Sequence, residues 1–214
     1  MNILKRLFSK DKTPDKTDNG WTMFSTSKEE VRKLLVDLGQ VTIGQDTITF
    51  ADYPFEPSKA FKQATFKQSD IDDIDATGHP PTIKVGDELL FVSAKQKDDL
   101  IKFVADNKIK TVDRIDIWSW ILEPFLDTEF TVETDQRLTN LLENYGLTVD
   151  KVKTLRAEVE TQMLKYNFDT MLWEWCELGV SDVLSAMRTK YDKEQYREFY
   201  KRAMEIALTN KLTQ

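Results

Sequence analysis

Two hydrophobic periods divide the chain, and one gives way to the other near residue 110. In the first half apolar residues alternate with polar ones. Val41 and Ile43, then Ile48 and Phe50, flank Gly44-Gln45-Asp46 and predict a hairpin. A loop marked by Pro54 and Pro57 follows, and residues 60–67, with Phe61 and Phe66, predict a further strand. Residues 81–86 and 88–93 surround Gly86-Asp87, a pair suited to a tight second hairpin. Two stretches of helical spacing bracket these strands. Ser27-Lys28-Glu29-Glu30 is a capping box in front of Val31, Leu34, Leu35 and Leu38, which predicts a helix stopped by Gly39. Leu100, Phe103 and Val104 predict another over residues 97–107.

Beyond residue 110 every strong pattern has the helical period. Trp118, Ile121, Leu122 and Phe125 fall at i, i+3, i+4 and i+7, which predicts a helix over residues 114–123, broken at Pro124 because proline removes a backbone donor. Trp120 lies about 200° round that helix from Trp118, so the two indoles occupy different faces. Leu138, Leu141, Leu142 and Tyr145 predict a second helix ended by Gly146. Thr148 or Asp150 caps a third, striped by Val152, Leu155, Val159, Met163 and Tyr166. Met171, Leu172, Trp175 and Leu178 predict a fourth, with the SDVLSAM segment after Gly179 as its continuation or a separate short helix. The last, residues 193–210, carries Tyr196, Phe199, Tyr200, Ala203, Ile206 and Ala207 on one face. The expected fold class is α+β: a segment 1–26, a small antiparallel sheet domain over 27–110, and an antiparallel helical domain over 111–214.

The order hairpin, strand, hairpin, helix resembles that of bacterial pleckstrin-homology-like (PH-like) domains. The element that carries the resemblance is Phe66-Lys67-Gln68-Ser69-Asp70-Ile71-Asp72-Asp73-Ile74-Asp75, similar to their strand with a Ser-Asp-Ile-x-x-Ile core. It covers roughly residues 40–110. Phosphoinositide-binding PH domains carry basic residues in the first hairpin, whereas this turn holds Gly44, Gln45 and Asp46, which counts against lipid-headgroup binding.

Composition narrows the function classes. Among 214 residues, 40% are hydrophobic and 31% charged, the balance of a globular protein. A single Cys176 excludes an internal disulfide and points to a reducing, cytoplasmic setting; a single His79 excludes a multi-histidine metal site. The net charge of −7 disfavours nucleic acid, which needs clustered cations. Bases and acids number 17 and 18 over residues 1–110 but 13 and 19 beyond, so the acidity belongs to the second half. The opening MNILKRLFSK lacks the apolar core of a secretory signal. Its apolar stripe beside Lys5, Arg6 and Lys10 would touch an anionic membrane surface weakly, or dock on the protein's own body.

Candidate chemistry is sparse. Asp70, Asp72, Asp73 and Asp75 suggest calcium, but in an EF-hand register from Asp73 a lysine, Lys84, stands where the bidentate glutamate belongs, so a solvated acidic strand end is expected. His79 sits in a Gly78-His79-Pro80 turn without a nucleophile motif, and Cys176 beside Trp175 reads as a small core residue. The pairs Trp118-x-Trp120 and Trp173-x-Trp175 show no sustained repeat around them. No catalytic residue, metal ligand or cofactor site is therefore expected.

The strongest feature is the stretch Arg114–Arg137, where Asp116, Glu123, Asp127, Glu129, Glu133 and Asp135 stand among large apolar residues with no base between the ends. The expectation is a non-enzymatic interaction or adaptor protein that meets another protein through Trp118, Trp120, Glu123, Asp127 and Glu129, or through a free sheet edge. Two alternatives stand beside it. One is an immunity-type inhibitor whose acidic face covers a basic enzyme. The other is a hydrolase using Glu123, Asp127 or Glu129 with a tryptophan as sugar platform.

Overall fold

The computed structural model describes residues 27–126, 130–169 and 177–212. Its elements, in chain order, begin with α1 (Lys28–Leu34), β1 (Gln40–Ile43), β2 (Thr47–Tyr53), β3 (Lys62–Lys67) and β4 (Asp73–Asp75). Strands β5 (Thr82–Val85) and β6 (Glu88–Phe91) and helix α2 (Lys97–Asn107) complete the first half. Helices α3 (Ile117–Leu122), α4 (Val132–Glu143), α5 (Val149–Leu164), α6 (Val180–Met187) and α7 (Lys193–Ala207) make up the second. The class is α+β, with two antiparallel three-stranded sheets ordered β1-β2-β3 and β4-β5-β6.

The chain divides into two compact units. Among the described residues, a sheet unit comprises Val36–Ile117 and Tyr191–Asn210, and a helical unit comprises residues 27–35, 118–126, 130–169, 177–190 and 211–212. The sequence placed residues 193–210 with the helices, but α7 lies in the sheet unit. Its stripe of Tyr196, Phe199, Tyr200 and Ala203 is buried there, and Leu89 N–H donates to Met204 Sδ at 3.4 Å. A three-stranded sheet needs such a cover for its apolar face.

In the sheet unit, Phe50, Tyr53, Phe55 and Phe91 meet edge to face at centroid distances of 5.3 to 5.8 Å, the geometry aromatic quadrupoles favour. Both hairpins stand where the period-two pattern puts them. The first closes through Gly44 N–H on Thr47 C=O at 2.8 Å, and the second pairs Val85 with Glu88. Gly39 turns the chain into β1 at φ +77°, and a Cβ there would lie 2.4 Å from Ala51 O, so no side chain fits. The helix before it is shorter than its pattern predicts. Leu34 is buried but Leu35 is 43% exposed, so the apolar stripe lacks a surface to cover and α1 ends at Leu34.

The acidic strand end is solvated only at Asp70 and Asp72, which are exposed. Asp73 and Asp75 are buried in β4, and Arg114 supplies the reason: its guanidinium pairs with Asp73, while its N–H donates to Asp75 Oδ2 at 2.9 Å. Asp75 Oδ1 accepts from the Thr77 N–H, the Thr77 hydroxyl and the Gly78 N–H at 2.8 to 2.9 Å. Burial pushes the Asp75 carboxyl up, but these donors together outweigh it and hold the group below the usual range.

In the helical unit, Thr148 caps α5 by accepting from Lys151 N–H at 3.4 Å, and Gly146 takes φ +73° in the turn before it. Residues 165–169 form a π turn at the end of α5. Most of the predicted fourth helix, with Trp173, Trp175 and Cys176, lies outside the described residues.

Candidate docking surface

Helix α3 is six residues long, so its last carbonyls lack partners within the helix. Pro124 deepens the deficit. Its nitrogen stands four residues after Trp120 and carries no hydrogen to donate back, so the chain passes into a single 3₁₀ turn over Glu123–Phe125. Arg156 of α5 fills the gap. Its Nη2 donates to Trp120 C=O at 3.3 Å and its Nε to Ile121 C=O at 3.0 Å. Its Nη1 reaches Asp135 Oδ1 at 2.8 Å, and the guanidinium lies 5.6 Å from the Phe130 ring. One planar cation thus closes a helix C-terminus and ties it to α4, a task a single ammonium could not perform.

Below this clamp the stripe behaves as core. Trp118, Ile121, Leu122, Pro124 and Phe125 are all buried. Phe125 C=O accepts from Asn167 Nδ2 at 2.9 Å, and Asn167 itself is 0% exposed within the π turn. Trp118 is therefore not available to a partner, which corrects its place among the contact residues: it lies on the face that meets the neighbouring helices. Trp120, on the other face, is half-buried, with its ring 5.6 Å from that of Tyr145 at 70°. Glu123 is half-buried, and Val132 is 77% exposed at the start of α4. Asp127 and Glu129 lie outside the described residues.

The acids are less free than the sequence suggests. Asp135 pairs with Arg156. Glu133 stands in the first turn of α4, where its own backbone N–H and the Thr131 hydroxyl hold its carboxyl below the usual range. Asp116 also interacts. Sequence reasoning missed Arg156 and Asn167, since each works on a carbonyl more than 30 residues away.

Elsewhere the chemistry is structural. In the sheet unit, buried Glu88 accepts from Lys59 N–H at 2.9 Å and from the Tyr200 hydroxyl at 3.0 Å, and burial pushes its carboxyl up against these donors. His79 is exposed. A cleft of about 300 Å³ in the helical unit is lined by Glu30, Lys33, Leu34, Gln162, Lys165 and Thr189, none of them from the acid-aromatic stretch. Among the described residues, no three His, Cys, Asp or Glu side chains gather to hold a metal ion, and no helix is long and apolar enough to cross a membrane. Comparison with known protein families, curated proteins and solved structures finds no match.

Proposed function

We propose that this protein is an interaction module that docks a basic partner protein on the surface around Trp120. One observation carries the reading. Trp120 is an incompletely buried indole whose helix end is fixed by Arg156 and whose ring rests on Tyr145, so it presents a rigid aromatic anchor. Such anchors supply most of the energy of protein interfaces because little side-chain freedom is lost on binding. Glu123 stands on the same short segment, and the net charge of −7 would steer a basic partner toward the protein. A basic enzyme held inactive is one form such a partner takes; an adaptor's client is another.

The sheet unit is the scaffold in this proposal, as a PH-like variant. What supports that view is the pair of three-stranded antiparallel sheets followed directly by α2. Its first turn, Gly44-Gln45-Asp46, offers an anionic headgroup no cation.

The test is affinity purification from the native cell with wild type, Trp120→Ala and Glu123→Lys, each eluted over a salt gradient. The expected result is a partner retained by wild type, released as salt shortens the Debye length from about 10 Å at 0.1 M, and lost from both variants at unchanged fold. A partner set identical for all three proteins would refute the proposal.

A further inference from the structure

The two sheets of the sheet unit have four edge strands, and the outer edges of β4 and β6 are covered. Register shows which backbone groups point outward on each. On β1, Gly44 N–H bonds Thr47 C=O, so Gly44 and Thr42 pair inward and Val41 and Ile43 face out; the Gln96 side chain donates to Val41 C=O, while the outward groups of Ile43 have no partner among the described residues. On β4, Ile74 faces out and is met by Lys110 C=O at 3.0 Å and Val112 N–H at 3.1 Å. On β6, Val92 N–H bonds Pro81 C=O, so Leu89 and Phe91 face out. Their N–H groups end on Met204 Sδ at 3.4 Å and Tyr53 Oη at 3.0 Å.

Strand β3 is open as well, and unlike β1 it carries exposed lysines. Gln68 N–H bonds Asp46 C=O at 2.9 Å in the same register as Phe66 with Ile48, so Phe66 and Ala64 pair inward and Gln63, Thr65 and Lys67 face out. The outward N–H of Gln63 is taken by Phe61 C=O at 2.8 Å, and that of Lys67 by Asp70 Oδ2 at 2.9 Å. Both backbone groups of Thr65 are left without a partner among the described residues. Lys62, Gln63, Thr65 and Lys67 are exposed, so nothing described covers this edge.

We propose that the β3 edge, centred on Thr65, accepts an extended acidic segment of another protein as an added antiparallel strand. Backbone pairing would come from Thr65, and selectivity from charge. Between Glu56 and Asp70 the chain carries Lys59, Lys62 and Lys67 and no acid, a basic stretch in a protein of net charge −7. Lys59 is engaged by Asp87, which leaves Lys62 and Lys67 on the edge strand itself. The carboxylate of Asp70 already sits on the Lys67 N–H, so an acid beside this edge is favourable in the chain's own structure. A second copy is the weaker occupant. Two β3 strands paired about Thr65 would place four lysines on one ribbon against only the two Asp70 carboxylates at its ends. This surface is separate from the Trp120 face and of opposite charge, so the two proposals stand or fall independently.

The test uses the full chain and two capped hexapeptides, one alternating glutamate and valine and the other lysine and valine. Binding is followed by fluorescence anisotropy at low salt, and hydrogen exchange is read at the Thr65 amide. The glutamate peptide should bind and slow Thr65 exchange by about tenfold or more at saturation, while the lysine peptide should not bind. Thr65→Pro removes the outward N–H at an edge position that tolerates proline, and should abolish binding. Lys62→Glu with Lys67→Glu leaves the backbone intact and should weaken binding by more than about tenfold; it decides the matter if Thr65→Pro does not fold. Slow Thr65 exchange in the free protein, equal binding of both peptides, or no binding of either would overturn the proposal. So would a concentration-dependent dimer in sedimentation that the double variant strengthens, since that assigns the edge to a second copy.

Discussion

Truncating Arg156 to alanine tests the architecture of the proposed docking surface. The side chain is 16% exposed and makes three polar contacts, of which two end on the backbone carbonyls of Ile121 and of Trp120, whose helical donor Pro124 removes. Hydrogen bonds from a charged donor contribute about 1.5–3 kcal/mol each, and water entering the vacated space recovers part of that. The Asp135 carboxylate is 50% exposed, so its ion pair contributes less than about 1 kcal/mol. Arg156→Ala should therefore destabilise the protein by about 2–4 kcal/mol, and Asp135→Asn by under about 1 kcal/mol. Arg156→Lys puts its donors on one nitrogen that cannot span the three acceptors and should recover at most about half of the loss. Urea unfolding of the four proteins at one pH, with the slope of the transition held common, gives these differences. If Asp135→Asn costs as much as Arg156→Ala, the guanidinium is an ion-pair partner and not a helix clamp, and the explanation of how Trp120 is held fails.

Three further outcomes follow from burial. Trp118→Ala should lose about 3–5 kcal/mol in the same assay, the cost of emptying a fully buried aromatic site; a loss under about 1 kcal/mol would return Trp118 to the surface. Glu88 has its carboxyl raised above the ordinary 4.5 by burial, so the folded state holds its proton more tightly than the unfolded chain and wild-type stability falls as pH rises from 4.5 through the folded value. Glu88→Gln can still meet Lys59 N–H and Tyr200, and it should flatten that fall in urea midpoints taken from pH 4 to 8; an unchanged slope contradicts the assignment. Asp75 is the opposite case, held below 3.8 by its donors, so its contribution is present above 3.8 and is lost as pH falls through the lower folded value. Asp75→Asn should cost about 1–3 kcal/mol at neutral pH, because an amide cannot accept at both ends, and the deficit should shrink in acid.

Local signals were legible in the sequence and distant ones were not. Gly44-Gln45-Asp46 and Gly86-Asp87 mark their hairpins because turn geometry depends on adjacent residues alone. The same holds for the Thr148 cap and for the helix end at Pro124. Asp73 and Asp75 looked solvated because the arginine that holds them stands 41 and 39 residues on. The last helix carries an apolar stripe that fits either unit, and only a contact such as Tyr200 with Glu88, 112 residues apart, assigns it to the sheet. At the proposed docking surface, spacing separated Trp118 from Trp120 by face but could not say which face is core. The clamp by Arg156 was invisible, since its residue follows Leu155 on α5 with nothing nearby to mark its role.

The central claim is that a partner protein meets the Trp120 face, and site-specific photo-crosslinking in the native cell tests it most directly. A photoreactive phenylalanine analogue is placed in turn at Trp120, at the exposed Val132, and at Ala157, an exposed control on α5. Discrete adducts of one mass from positions 120 and 132, absent from 157 and reduced when Glu123→Lys is added, are the result the account predicts. No adduct at 120 and 132, or the same adducts at all three positions, would contradict it.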